Sequence, residues 1–300
     1  MKIFYSSTLL CLALLTLLSS CKSDSKLNSR KRSTEYLQND FKPDEFYPAE
    51  QVELQIKSGG STMYGFAYTA NGKGPHPTVV MLHGLPGHER GLDLAQSMRR
   101  AGYNIVYFNY RGAWGSKGTF GFQNAINDAG VVVDYLIDSL NRETLRVDTS
   151  KIAFAGHGVG AGIAMLAGLK DSRVKSVIGV SVFNPYTLLQ GDHAAGNLIG
   201  LKEYLLTLGM LNTDPNKFLD DILDKLDAYN IELQVSKSTK PVLVIDEHIN
   251  NTYFSKYNPR ESFDYKIWDT DHAFTNRRIA LTKEIINWLD EKVLNEPKTK

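Results

Sequence analysis

The segment KIAFAGHGVGAGIAML, Lys151–Leu166, gathers Gly156, His157, Gly158 and Gly160 at one corner between an apolar run and a stretch of small residues. Gly156, Gly158 and Ala161 have the spacing GxGxxG/A, which lets a backbone approach a pyrophosphate at a helix N-terminus. That chemistry also calls for an acidic residue about twenty positions on to hold a ribose hydroxyl. The chain there reads VSVFNPY, without an acid, so dinucleotide binding at this corner is a minor alternative. His83, His88, His157 and His272 form a second set of chemically capable residues, if loops at one sheet edge bring them together as metal ligands. Both cysteines, Cys11 and Cys21, lie near the N-terminus, so the rest of the chain has neither a thiol nucleophile nor a thiolate metal site. No metal or cofactor is expected.

Around this corner the chain alternates. PTVVMLHG, NIVYFNYRG, KIAFAGHG, VKSVIGVSVF and PVLVIDEH are continuous apolar runs separated by amphipathic segments such as GLDLAQSMRRAGY and a helix over about Asn124–Leu140. Apolar strands without alternation are buried on both faces, so the class is α/β: a mostly parallel sheet with helices on both sides. Two shorter strands, Val52–Ile56 and Met63–Tyr68, precede it across the turn SGGS. Between about 185 and 237 the strand rhythm stops. Helical segments over Asn197–Leu211 and from TDPNKFLDDILDKLDAY predict a cap inserted into the domain, with Asp214–Pro215 as a helix start. The packed domain is expected over 46–295.

The N-terminus is of another kind. MKIFYSSTLLCLALLTLLSS has a lysine near its start, an apolar run and small residues before Cys21, which reads as a leader over 1–20. LSSC resembles the lipobox of bacterial lipoproteins, and the resemblance implies a diacylglyceryl group on Cys21. Residues 21–45 then form a polar tether. Lys22 stands where some bacterial lipoproteins carry an inner-membrane retention aspartate, which favours the outer membrane of the cell envelope. The 300 residues carry 34 Lys and Arg against 33 Asp and Glu, with no basic stripe, so nucleic acid is excluded as a partner.

Gly156–His157–Gly158–Val159–Gly160 resembles the GxSxG nucleophile elbow of the α/β-hydrolase family, with glycine in the serine position. VVMLHGLPGHE resembles the family's oxyanion loop, and DTDHAFTNRRIALTKEIINWL its histidine loop and closing helix, in the order and spacing of esterases and prolyl-oligopeptidase-like peptidases. The resemblance implies His272 as the base, the backbone amides of Leu85 and Val159 as the oxyanion hole, and packing roles for His83 and His157. The acid position falls on Asp246, Glu247 or Asn250. Glycine at the elbow removes the nucleophile, and neither Ser116 nor Ser181 is an evident replacement. The leading expectation is a lipid-anchored pseudo-hydrolase that binds a small molecule or peptide under the cap. The alternative is an ester or amide hydrolase in which His272 activates water beside a retained oxyanion hole.

Overall fold

The computed structural model describes residues 34–247, 254, 256 and 260–294. These lie within one compact unit, Arg32–Lys300. The leader, Cys21 and Asn250 fall outside the described residues.

Strands β1 (Gln51–Ser58) and β2 (Ser61–Tyr68) form a hairpin. Gly59 and Gly60 close it with φ of 50° and 75°, backbone that few other residues adopt. β3 (His76–Leu82) leads through a loop to α1 (Leu92–Arg100) and β4 (Asn104–Phe108). After β4 come α2 (Phe122–Ile137), the short α3 (Ser139–Thr144) and β5 (Val147–His157). The single helix expected to run to about Leu140 is thus split, because Asp138 leaves the helix and caps the next one through Leu140 and Asn141 N–H.

Beyond the elbow, α4 (Val159–Gly168) returns to β6 (Val174–Val180). Four α-helices and a 3-10 turn over Leu226–Tyr229 then precede β7: α5 (Pro185–Leu188), α6 (Ala194–Leu206), α7 (Pro215–Asp224) and, after the turn, α8 (Ile231–Lys237). α7 starts where the sequence places it, with Pro215 at its first position and the Asp214 carboxylate accepting from Asn216 and Lys217 N–H. β7 (Val242–Asp246), β8 (Phe263–Ile267) and α9 (Arg278–Leu289) follow, with a π-helical turn over Asp290–Leu294 after α9.

The eight strands make one sheet in the order β1-β2-β4-β3-β5-β6-β7-β8, antiparallel at the β1–β2 and β2–β4 pairs and parallel from there on. Successive residues of each central strand enter opposite cores. Val80, Phe154, Val177 and Val244 pack on one side with residues of α2 and α4. Val79, Ala153, Ile178 and Ile245 pack on the other with residues of α1 and α9. This two-sided burial is why the strands read as unbroken apolar runs. Parallel connections place the loops after β3, β5, β6, β7 and β8 along one sheet edge, where such folds hold their ligands.

Candidate active site

Gly158 lies between the last residue of β5 and the first of α4, at φ 57° and ψ −122°. Its N–H donates to Val180 O at 3.0 Å, and its carbonyl accepts from Ala161 N and Phe183 N. The corner is therefore fastened to the next strand and its outgoing loop. The flanking glycines serve close packing: a Cβ on Gly156 would meet Gly160 O at 2.2 Å, and one on Gly160 would meet Leu82 O at 2.0 Å. Strand, elbow and helix contact thus accounts for glycine at 156 and 160.

At Gly158 itself there is room. A Cβ built there would lie 3.6 Å from His272 Nε2 and 3.8 Å from Cε1, with no other described residue beyond its chain neighbours within 4 Å. One further bond would carry a serine oxygen toward the hydrogen-bonding range of a nucleophile and its base, about 2.6–3.2 Å. His272 is supplied by the loop between β8 and α9, and its ring presents Nε2 to this space.

The opposite ring nitrogen, Nδ1, lies 2.9 Å from Glu247 Oε1 and 2.8 Å from Ser181 Oγ. The Ser181 hydroxyl donates to Glu247 Oε2 at 2.5 Å. A carboxylate only accepts, so Nδ1 carries a proton and the neutral ring keeps its lone pair on Nε2. Burial pushes the Glu247 carboxyl up, but hydrogen bonds from His272 and Ser181 outweigh it and bring it down to about 2. The same contact with Glu247 raises the His272 imidazole above its ordinary value, against some desolvation. Glu247 contributes stability above its ordinary 4.5 that is lost as pH falls towards about 2. His272 contributes stability below its ordinary 6.5 that is lost as pH rises through its raised value. The pair is therefore strongest between those two ordinary values.

Of the three residues at the acid position, Glu247 is the one that meets the imidazole. Asp246, the last residue of β7, faces the other way and accepts from Tyr265 Oη at 2.9 Å and Val182 N at 3.2 Å. Burial raises its carboxyl to about 6 against these two bonds. Asn250 is outside the described residues.

Ser181, weighed in the sequence only as a replacement nucleophile, meets both members of the pair. It follows β6, is buried at 7% exposure, and holds φ at 56°. It occupies the Nδ1 side of the ring, and its proton is committed to Glu247, so it anchors the pair and does not stand in for the elbow serine. Ser181→Ala is expected to cost about 1.5–3 kcal/mol, the range for a hydrogen bond to a charged group. Ser181→Gly loses the same bond but relieves a backbone conformation that costs a side-chain-bearing residue about 1–3 kcal/mol. Denaturant titration of both variants should find the glycine protein more stable than the alanine protein, and equal losses would contradict this assignment. Ser116 is elsewhere, its hydroxyl donating to Asn109 O and accepting from Tyr64 N.

The loop after β3 faces the elbow. A Cβ on Gly84 would lie 3.0 Å from His157 O and 3.9 Å from Val159 N. Val159 is the first residue of α4, so its N–H has no acceptor within the helix. The carbonyl of Leu85 accepts from Tyr204 Oη of α6 at 2.9 Å, and Pro86 O accepts from Trp114 Nε1 at 2.5 Å. Leu85 and Val159 line the same cavity of about 500 Å³ as Gly158, His272 and Ser181. Among its described lining residues Ser181 is the one serine, with no threonine or cysteine.

The other histidines are tied down separately. His83 is 2% exposed, its Nδ1 is 2.8 Å from Gly84 O, and burial lowers its imidazole to about 4. His157 Nε2 is 2.7 Å from His272 O, which braces the histidine loop. His88 packs edge-on against Trp114. The four imidazoles are not brought into a ligating set, and among the described residues no group of three or more His, Cys, Asp or Glu is arranged for a metal ion.

Sequence comparison matches residues 73–223, half of the chain, to the family described as serine aminopeptidase, S33. No curated protein matches the sequence significantly. Among solved structures the chain is similar to Est1E from Butyrivibrio proteoclasticus, at 17% identity over 81% of this chain and 100% of that one, with a TM-score of 0.61. It is similar to a 2,6-dihydroxy-pseudo-oxynicotine hydrolase at 20% identity over 84% of this chain and 70% of that one, TM-score 0.60. An esterase from Pyrococcus furiosus matches at 16% identity over 82% and 92%, TM-score 0.58. At these identities the structural likeness is one of fold.

Proposed function

Because the chain belongs to the serine aminopeptidase S33 family within the α/β-hydrolase superfamily, we propose that it is a member without acyl-enzyme chemistry, whose cavity binds a small molecule or peptide. Gly158 carries this reading. The elbow apex offers no hydroxyl to His272 Nε2, and the one serine in the cavity is bonded on the far side of the ring. A family that forms covalent intermediates needs a nucleophile in hydrogen-bond reach of its base, and this site lacks that component.

A second reading is favoured by the Glu247–His272 pair at 2.9 Å. A base held in one tautomer beside two backbone donors retains part of a hydrolytic apparatus. In this reading water takes the space above Gly158, His272 removes its proton, and esters or amides are cleaved slowly. Triad removal in model proteases leaves about 10³–10⁴-fold acceleration over water. Short-chain chromogenic esters separate the two readings. The binding reading expects wild type to turn over no faster than His272→Ala, whereas turnover that disappears in His272→Ala supports hydrolysis.

The proposal extends to the N-terminus, where Cys21 after LSS is the lipidated residue and the cell envelope, with the outer membrane favoured, is the location. Among the described residues no helix is long and apolar enough to cross a membrane. Cys21→Ala is expected to lose incorporation of a fatty-acid analogue and to leave the membrane fraction, and unchanged labelling would refute the anchor.

A further inference from the structure

We propose that the cavity above Gly158 is a carboxylate site: one ligand oxygen takes the Leu85 and Val159 N–H groups, and the other fills the side-chain space at Gly158 and accepts from His272 Nε2–H. The inference rests on the ligand-binding reading and names its ligand class.

Three observations converge on it. The space at Gly158 is bounded by the Nε2 edge of His272, at 3.6 Å from a Cβ position and hence within reach of one added oxygen. A Cβ position on Gly84, in the loop after β3, lies 3.9 Å from Val159 N, and Leu85, Val159 and His272 line one cavity. The groups assigned to these two oxygen positions, the Leu85 and Val159 N–H and the Nε2 edge of His272, are all donors once the ring is protonated. A neutral ester carbonyl satisfies one position, whereas an ionised carboxylate supplies two acceptor oxygens and a charge opposite to the imidazolium. With no nucleophile at the elbow, a bound acid or ester is held without covalent attack by the chain.

The charges around the ring favour the imidazolium. Glu247 from the β7 end lies 2.9 Å away, and Asp271 neighbours the ring in its own loop; both raise it. His157 from β5 packs beside it, tilted, at 4.5 Å between centroids, but burial and the His272 charge keep His157 below its ordinary value. Glu89 also lines the cavity, and its carboxylate is engaged by Arg278 at 3.3 Å and by Gly91 N–H at 3.1 Å. His88 and Tyr204 are the remaining titratable groups in the lining, and the Tyr204 hydroxyl donates to Leu85 O at 2.9 Å. Leu85, Val182, Phe183 and Leu201 supply apolar wall. A carboxylate on a short aliphatic chain suits both halves of the cavity.

The test is calorimetric titration of wild type with hexanoate, hexanamide and ethyl hexanoate between pH 6 and 9. Hexanoate is expected to bind with a Kd that is flat at the acid end. Above the imidazole's pKa it weakens towards about tenfold per pH unit, because binding then requires uptake of one proton. Hexanamide is expected to bind at least tenfold more weakly. His272→Ala should abolish the pH dependence, and Gly158→Ser should weaken hexanoate about tenfold by filling the second oxygen's space. The pH series uses the wild-type chain alone, so it stands whether or not the variants fold. Hexanamide or ethyl hexanoate binding as tightly as hexanoate, without pH dependence, overturns the carboxylate inference and leaves the binding reading intact. No binding by hexanoate also overturns the inference. Conversion of ethyl hexanoate to hexanoate by wild type but not by His272→Ala overturns the binding reading itself.

Discussion

Gly158→Ser is expected to gain ester hydrolysis by at least about 10²-fold over wild type, against a ceiling of about 10⁶ set by what a complete triad contributes in a serine protease. The reason is geometric. The variant supplies a hydroxyl beside the base: the added Cβ would stand 3.6 Å from Nε2, and the ring is already oriented by Glu247 and Ser181. The same variant is expected to be less stable than wild type by about 1–3 kcal/mol, because φ of 57° at the apex is backbone that suits glycine. Gain of activity with loss of melting temperature is a distinctive pairing. A serine variant that melts no lower than wild type would contradict the proposal that glycine relieves strain at the elbow.

Replacing Glu247 with Gln in the Gly158→Ser background is expected to lower kcat by about 10⁴-fold, as the corresponding acid-to-amide change does in a serine protease by favouring the wrong imidazole tautomer. Both Glu247 oxygens are used here, Oε1 by His272 and Oε2 by Ser181. An amide side chain has one acceptor oxygen and cannot replace both. The pH profile should also shift. Without the carboxylate that raises it, the imidazole returns towards or below its ordinary 6.5, so the basic form persists to lower pH and the acid limb moves down. A loss of less than tenfold, with an unmoved acid limb, would contradict the placement of Glu247 beside His272.

Much of this arrangement is legible in the residues, and the failures have physical causes. The central strands announce themselves because both faces are buried, as Val79 and Val80 on opposite cores illustrate. The elbow is readable because close strand–helix packing tolerates only glycine at 156 and 160. The choice between Asp246 and Glu247 is not, since adjacent residues at a strand end point to opposite faces. Only the pairing of β7 with β8, through which Tyr265 meets Asp246, shows which carboxylate is already occupied. The contact of Ser181 with Glu247 and His272 was hidden for a related reason. Its relevance depends on β6 lying between β5 and β7 in the sheet, which puts the end of that strand between the elbow and Glu247.

We propose a site in which the base is present and the nucleophile is not. It is tested most directly by treating wild type and Gly158→Ser with a fluorophosphonate and measuring intact mass. Wild type is expected to take no adduct and the serine variant a single one, mapped to position 158 and reduced when His272 is replaced by Ala. A stoichiometric adduct on wild type, at Ser181 or any other residue, would contradict it.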